Sequence, residues 1–329
     1  MSLSPKPRLL LAVPLPDDLT AQLESRCEVV VAPSGHFPPP DQLGALLPTV
    51  SGVATTAYCK FNADLISRCP DLRVIAACGV GLDHIDVPCA TRRGVLVCNT
   101  PGLQNSTVAE MALALIFALA RNLPANDAFV RAGTWRQHQV GLAIDIRGKR
   151  LGLLGLGGIG GYLATAAQAL GLTVVYHKRS RDLAAEARGI AYVERDALFR
   201  GSDFVSLHLP LNAETRGSVG RREFALMKPG GFLINTARGS IVDEPALIEV
   251  LTSGHLAGAG LDVMDAEPIG ADNPLCSTPN IILQPHAGGA TRETRRRMEE
   301  LTVRNTLAAL EGRMPDIVVN PEAFQARQA

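Results

Sequence analysis

The chain has no excess charge of either sign: lysine plus arginine number 32, and so do aspartate plus glutamate. A neutral molecule has no long-range field to collect nucleic acid or an anionic membrane, so neither is an expected partner. A membrane-spanning run is also lacking. The most apolar stretch, Met111 to Ala120, falls well short of the ~20 residues a bilayer crossing needs. The apolar run near the start, Leu9 to Val13, is too short for the core of a signal peptide and reads as a strand. No two cysteines form C-x-x-C. The seven (Cys27, Cys59, Cys69, Cys78, Cys89, Cys98 and Cys276) fit no zinc spacing, so no metal is expected. Their odd number and the absence of an export signal predict reduced thiols in a cytoplasmic protein, serving as small buried hydrophobes. Tryptophan occurs once, at Trp135, and is read as a packing anchor.

What the chain does have is apolar mass. Hydrophobic residues make up 47% of its 329 positions, enough for about two domains. Strand-like runs occur at Arg8–Val13, Glu28–Ala32, Gly52–Thr55, Val74–Ala77 and Val95–Cys98, with helix-like runs at Asp17–Arg26, Asp41–Leu47 and Asn62–Arg68. Such alternation predicts a parallel sheet with helices on its faces. Between these runs, Pro33 to Pro40 is proline-rich and breaks regular structure. A long helix is predicted to start at Thr107, capped by a Thr107-x-x-Glu110 box, and to end near Arg121, with its apolar surface buried between domains or against a partner subunit. Asn126 to Ile146 reads as less regular. A second series follows, with strands at Arg150–Leu154, Thr173–Tyr176, Phe204–Leu207, Gly231–Asn235, Ala257–Leu261 and Ile281–Leu283. Six strands of this kind suit a doubly wound sheet. The stretch Thr291–Glu311, with Arg295, Arg296 and Arg297 in a row, reads as a charged helix with a solvated face.

The most telling segment is LGLLGLGGIGG at 151–161. Gly155, Gly157 and Gly160 form G-x-G-x-x-G between an apolar strand and a helix-like segment, Tyr162–Leu170. The order strand, glycine turn, helix, strand is that of a dinucleotide-binding unit. The helix start offers unpaired N–H groups and a positive dipole end to a pyrophosphate. Downstream, Arg238, Glu267 and His286 each fall just past a predicted strand, on the edge that carries the glycine turn. A guanidinium can grip a carboxylate with two parallel bonds, an imidazole can donate a proton near neutral pH, and a carboxylate can hold that imidazole. Together behind a dinucleotide loop they suit carbonyl reduction.

The chain resembles the D-isomer-specific 2-hydroxyacid dehydrogenases. GLGGIG at 155–160, NTARGSIVDE at 235–244, LDVMDAEP at 261–268, PHAGGAT at 285–291, CGVGLDHIDV at 78–87 and NTPG at 99–102 carry the likeness. The resemblance implies an α/β molecule with a Rossmann-type doubly wound cofactor domain (103–288), a flavodoxin-like α/β substrate domain (1–102 and 289–329), and a cleft between them hinged near Asn105 and Gly288. It implies Arg238, Glu267 and His286 as the catalytic set. It also implies Gly155, Gly157, Gly158, Ile159, Gly160, Pro210, Thr215, Thr236, Ala237, Asp262 and Gly288 around the cofactor, and Thr56, Val80, Gly81 and Arg238 around the substrate. A homodimer in contact through Asp127–Ile146 is implied as well. The expected reaction is hydride transfer from a reduced nicotinamide to C2 of a 2-oxoacid, with His286 as proton donor.

An NAD site usually ends its second strand on an acid that bonds the ribose 2′-hydroxyl. Here the strand runs on into His177, Lys178, Arg179 and Ser180. The missing acid and the cations at Lys178 and Arg179, with the Ser180 hydroxyl, predict NADPH over NADH. Thr56 carries no charge for a phosphate, which favours glyoxylate, hydroxypyruvate or a 2-ketoaldonate over 3-phosphoglycerate. A phosphite-type dehydrogenase and a nucleotide-sensing corepressor on the same scaffold are the alternatives.

Overall fold

The computed structural model describes residues 5–32, 40–136 and 138–328. They form two compact units, one running to Leu103 and resuming at Thr291, the other Gln104–Ala290. The first unit begins with β1 (Arg8–Leu11), α1 (Asp17–Arg26), β2 (Glu28–Val31), α2 (Pro40–Leu46) and β3 (Gly52–Thr55). It continues with α3 (Ala63–Ser67), β4 (Val74–Ala77), α4 (Val87–Arg92) and β5 (Leu96–Cys98). The strands are all parallel in the order β2-β1-β3-β4-β5, which is the flavodoxin-like winding. Register places Leu10 beside Val53, Val53 beside Ile75, and Ile75 beside Val97. These four share one buried cluster, while Leu9, Ala54, Val74 and Leu96 line the opposite face. A sheet covered on both faces explains why these strands read as unbroken apolar runs.

The second unit holds α5 (Asn105–Ala120), α6 (Leu123–Arg131), β6 (Arg150–Leu154), α7 (Gly158–Ala169), β7 (Thr173–His177), α8 (Leu183–Glu186) and β8 (Ala191–Tyr192). It goes on through α9 (Arg195–Gly201), β9 (Phe204–Leu207), α10 (Arg221–Leu226), β10 (Gly231–Asn235), α11 (Glu244–Thr252), β11 (Leu256–Leu261) and β12 (Ile281–Leu283). The chain then returns to the first unit as α12 (Arg292–Leu310) and α13 (Glu322–Gln328). The seven strands are parallel in the order β12-β11-β10-β9-β6-β7-β8. Counted within the unit, this is the Rossmann order with a seventh strand added at the far edge. The winding reverses between β6 and β9, and a ligand crevice opens at the carboxyl ends of strands on either side of such a reversal.

Several expectations need correcting. The long helix starts at Asn105, not Thr107, and no side chain caps it. Thr107 is buried inside its first turn and Glu110 is exposed, so there is no capping box. The apolar residues Ala109, Ala112, Leu115, Ile116 and Leu119 of α5 pack within the second unit's own core, beside Leu151, Leu163 and Ile234. No single helix among the described residues is long and apolar enough to cross a membrane. The helix after the glycine turn begins at Gly158, four residues earlier than read. The stretch Asn126–Ile146 is helical at its start, where α6 runs on to Arg131, and α4 and the two-residue β8 have no counterpart in the sequence reading. Trp135 is 68% exposed and anchors no core in this chain. Cys276 is exposed, whereas the other six cysteines are buried. The charged helix α12 buries Thr294, Met298, Glu299, Leu301 and Thr302, so its face is not simply solvated. Arg296 there forms a two-bond clamp on the Asp18 carboxylate. The proline-rich residues 33–39 lie outside the described residues.

Candidate active site

The glycine turn sits at the winding reversal. Gly155 has φ +100°, and a Cβ there would come 2.5 Å from the His208 carbonyl oxygen, so only glycine fits. A Cβ on Gly160 would lie 2.9 Å from the Gly155 oxygen, which lets α7 start tight against the turn. Gly157 differs: a Cβ on it would meet nothing within 4 Å. It occupies the N-cap of α7, and no side chain caps the first N–H groups, those of Gly158, Ile159 and Gly160. Open space over an uncapped twelve-residue helix fits a pyrophosphate. Behind the turn the Asn105 amide packs so closely on Gly158 that any side chain there would displace it.

Beyond β7 the basic run divides. Lys178 donates to the Leu156 carbonyl at 3.4 Å and pairs with Asp182 at 3.6 Å, so its charge is locally balanced. Arg179 is 88% exposed and lies 3.9 Å from Glu214. Ser180 is exposed beside it. In the loop after β9, the Thr215 hydroxyl donates to the Pro210 carbonyl at 2.7 Å and accepts from the Asn212 N–H, closing the loop on the cofactor edge.

The three predicted chemical residues follow adjacent strands β10, β11 and β12. After β10, fully buried Asn235 accepts from Ala237 N–H at 3.0 Å and donates to the Arg238 carbonyl at 2.9 Å, folding the turn that presents Arg238. Arg238 Nη1 bonds the Ala237 carbonyl at 2.7 Å. The Thr236 hydroxyl is buried without a partner, an orphan suited to a polar ligand group such as a carboxamide. After β11 comes Asp262, 1% exposed. Its carboxylate accepts from Ala287 N–H at 2.8 Å and Gly288 N–H at 2.9 Å, and its carbonyl accepts from His286 N–H at 2.8 Å. Burial pushes the Asp262 carboxyl up, and those two N–H bonds oppose the shift. This grip holds His286 at φ +52°, a left-handed conformation rare for histidine. His286 Nδ1 meets Glu267 Oε2 at 2.7 Å, and Glu267 Oε1 accepts from Met264 N–H at 2.9 Å. A carboxylate only accepts, so Nδ1 is the donor and the ring's other exchange site is Nε2.

Thr56, Val80 and Gly81 belong to the first unit and fall past β3 and β4 at the carboxyl edge of its sheet. The Gly79 carbonyl accepts from Thr100 N–H at 2.9 Å, and the Val80 carbonyl from Asn99 Nδ2 at 2.9 Å. In a trans peptide N–H opposes C=O, so the Val80 and Gly81 N–H groups point away from those two donors. The Thr56 hydroxyl is buried without a partner. Sequence reasoning gave Asn105 only a hinge position, quoted Asn235 only as part of a motif, and did not single out His208. For Asn235 the signal was available: an asparagine ending a strand before a tight turn bonds its own backbone.

A sequence profile described as the NAD-binding domain of D-isomer-specific 2-hydroxyacid dehydrogenases matches residues 113–288. A glyoxylate reductase from Thermococcus litoralis is 39% identical over 326 residues, covering 97% of this chain and 98% of that one. One from Aeropyrum pernix is 44% identical over 276 residues, 82% of each. The crystal structure of an NADPH-dependent glyoxylate/hydroxypyruvate reductase from Sinorhizobium meliloti, with NADP and malonate, superposes with a TM-score of 0.86. It is 33% identical and covers 97% of this chain and 98% of its own.

His208 gives the glycine turn a pH signature. Its N–H donates to the Leu154 carbonyl at 2.8 Å, and Nε2 lies 2.9 Å from the Ser206 hydroxyl. Burial pulls its pKa down to about 4. The unfolded imidazole takes up a proton near 6.5 and the folded one only near 4, so its contribution is complete above pH 6.5 and is lost as pH falls toward 4. At ~1.4 kcal/mol per unit the loss is roughly 3 kcal/mol. The wild-type melting temperature should therefore drop between pH 6.5 and 4.5. His208→Gln, which preserves a group facing Ser206, should show a shallower drop, and equal slopes would contradict this assignment.

Proposed function

The chain belongs to the D-isomer-specific 2-hydroxyacid dehydrogenase family, and from that premise we propose that it reduces glyoxylate and hydroxypyruvate to their 2-hydroxyacids, with NADPH preferred. It is an oxidoreductase that uses a nicotinamide cofactor. The observation that carries the reading is the 2.7 Å bond between His286 and Glu267, held at the end of the sheet that bears the glycine turn.

When bound, the reduced nicotinamide supplies the hydride added at C2. Gly157 through Gly160 would hold the pyrophosphate, and Thr236 and Ala237 would meet the carboxamide end. Asp262, which the resemblance also assigns to the nicotinamide carboxamide, would serve there while fixing the 286–288 turn through its two backbone bonds. Residues 1–102 and 289–329 are assigned as the substrate domain, whose Val80 and Gly81 amides suit a substrate carboxylate. Arg238, on the cofactor domain, carries a guanidinium suited to a carboxylate and to polarising a carbonyl. His286, its Nδ1 proton on Glu267, gives the Nε2 proton to the developing alkoxide, and in the oxidative direction takes it back. Thr56 brings no cation, consistent with a small substrate that lacks a phosphate.

The NADPH preference rests on Arg179 and Ser180, which stand exposed at the end of β7 where no acid follows directly. The relative from Sinorhizobium meliloti is itself NADPH-dependent. We further assign a homodimer, because Leu123, Val130, Trp135, Val140 and Leu142 are all about half exposed or more, an apolar surface concentrated in one segment.

Three measurements test these assignments. His286→Ala should lower kcat for glyoxylate by roughly 10²–10⁴-fold while NADPH still binds, and a variant that keeps wild-type kcat refutes the reading. Arg179→Ala should cut the NADPH-over-NADH ratio of kcat/KM by about tenfold, the worth of one charge-assisted bond. A wild-type preference for NADH would overturn the cofactor assignment. Light scattering should give twice the 34.9 kDa chain mass, and a monomer at micromolar concentration would exclude the dimer.

A further inference from the structure

The turn that presents Arg238 and the turn that presents Glu267 are tied together by contacts that involve neither side chain. Gly239 is buried against the second turn, where a Cβ would overlap the Met264 carbonyl, so backbone lies directly on backbone. The Ser240 hydroxyl donates to the Asp265 carboxylate. Glu244 Oε1 accepts from the Asp265 N–H at 2.6 Å. From there the path is short: Met264 N–H donates to Glu267 Oε1, and Glu267 Oε2 holds His286.

Glu244 is unusual for its place. It opens α11, whose N-cap Asp243 already serves the helix by accepting from Ala246 N–H. A carboxylate at the first helical position ordinarily faces water and the helix dipole. This one turns back onto the neighbouring turn, half-buried, in company with the carboxylates of Asp265 and Glu267. Burial and those two charges push the Glu244 carboxyl up. Gathering three acids is unfavourable unless each is spent on a fixed donor, and here each is: Glu244 on Asp265 N–H, Asp265 on Ser240, and Glu267 on Met264 N–H and His286.

We propose that Glu244 is a positioning residue for the reaction: by holding the 264–267 turn against the base of α11, it sets Glu267, and through it His286, in register with Arg238. The inference rests on the assigned roles of His286 and Arg238. A misplacement of about 1 Å in a reacting group can cost 10²-fold in rate, so loss of one tie among three should show mainly in kcat. Glutamine at this position keeps an oxygen for the Asp265 N–H, whereas alanine leaves that donor unpaired.

The test is glyoxylate reduction at saturating NADPH by wild type, Glu244→Ala, Glu244→Gln and Ser240→Ala, with NADPH affinity from fluorescence quenching and melting temperatures on the same samples. Glu244→Ala should lose about tenfold in kcat with little change in NADPH affinity. Glu244→Gln should recover to within about threefold of wild type, and Ser240→Ala should lose less than Glu244→Ala. The proposal fails if Glu244→Ala keeps kcat within twofold, if glutamine is as damaging as alanine, or if NADPH affinity falls as far as kcat. Should Glu244→Ala not fold, Ser240→Ala decides: a lower kcat at unchanged melting temperature supports the tie, and an unchanged kcat refutes it. His286→Ala separates the layers. If that variant is inactive while Glu244→Ala is unimpaired, the site reading stands and this inference falls. If both are unimpaired, the site reading itself is wrong.

Discussion

Everything at this site depends on one buried carboxylate. Asp262 accepts from two consecutive backbone N–H groups and, through its own carbonyl, from a third. Those bonds offset part of the cost of removing its charge from water, and they fix the 286–288 turn. His286 can sit at positive φ only because the turn is so determined. With the backbone fixed there, the ring meets Glu267 at 2.7 Å instead of sampling rotamers in solvent. An imidazole held this way meets its ordering cost on folding, the preorganisation that the proposed proton transfer would use.

The winding of the sheets supplies the rest. Parallel strands with helical crossovers all end on the same edge, so residues far apart in sequence gather there without any long-range pairing signal. Asn235, Asp262 and Gln284 each lie at or just past the ends of neighbouring strands, and the turns that follow carry Arg238, Glu267 and His286. The same edge carries His208 after β9 and, across the reversal, Gly155 after β6, the two in contact through the Gly155 turn. The first unit repeats the logic on a smaller scale, with Thr56 and Val80 past the ends of β3 and β4.

That regularity also explains what could be read in advance. Strands buried on both faces, such as Val74–Ala77 and Phe204–Leu207, are short continuous apolar runs and were placed to the residue. The two residues of β8, at a sheet edge, offered no run to see. Helix α4 has six residues opening on Val87-Pro88, too few to show a period. Thr107 and Glu110 have the spacing of a capping box, yet the helix starts at Asn105, with Thr107 buried inside its first turn and Glu110 exposed. The candidate residues Arg238, Glu267 and His286 could be singled out because each sits in a motif at a strand end. Their supports could not: the Glu244–Asp265 bond, the Lys178–Asp182 pairing and the press of Asn105 on Gly158 arise only when segments meet in space. Trp135 misled because a lone large ring suggests a core, whereas it lies on the segment here assigned to subunit contact.

The central claim, that an imidazole oriented by Glu267 and the Asp262-bound turn faces the carbonyl being reduced, is tested most directly by a crystal structure with NADPH and oxamate, an unreactive analogue of a 2-oxoacid. The account predicts His286 Nε2 within hydrogen-bond distance of the oxamate carbonyl oxygen, Glu267 still on Nδ1, and Arg238 on the carboxylate. An imidazole turned away from the analogue, or a Glu267 that has left Nδ1, would contradict it.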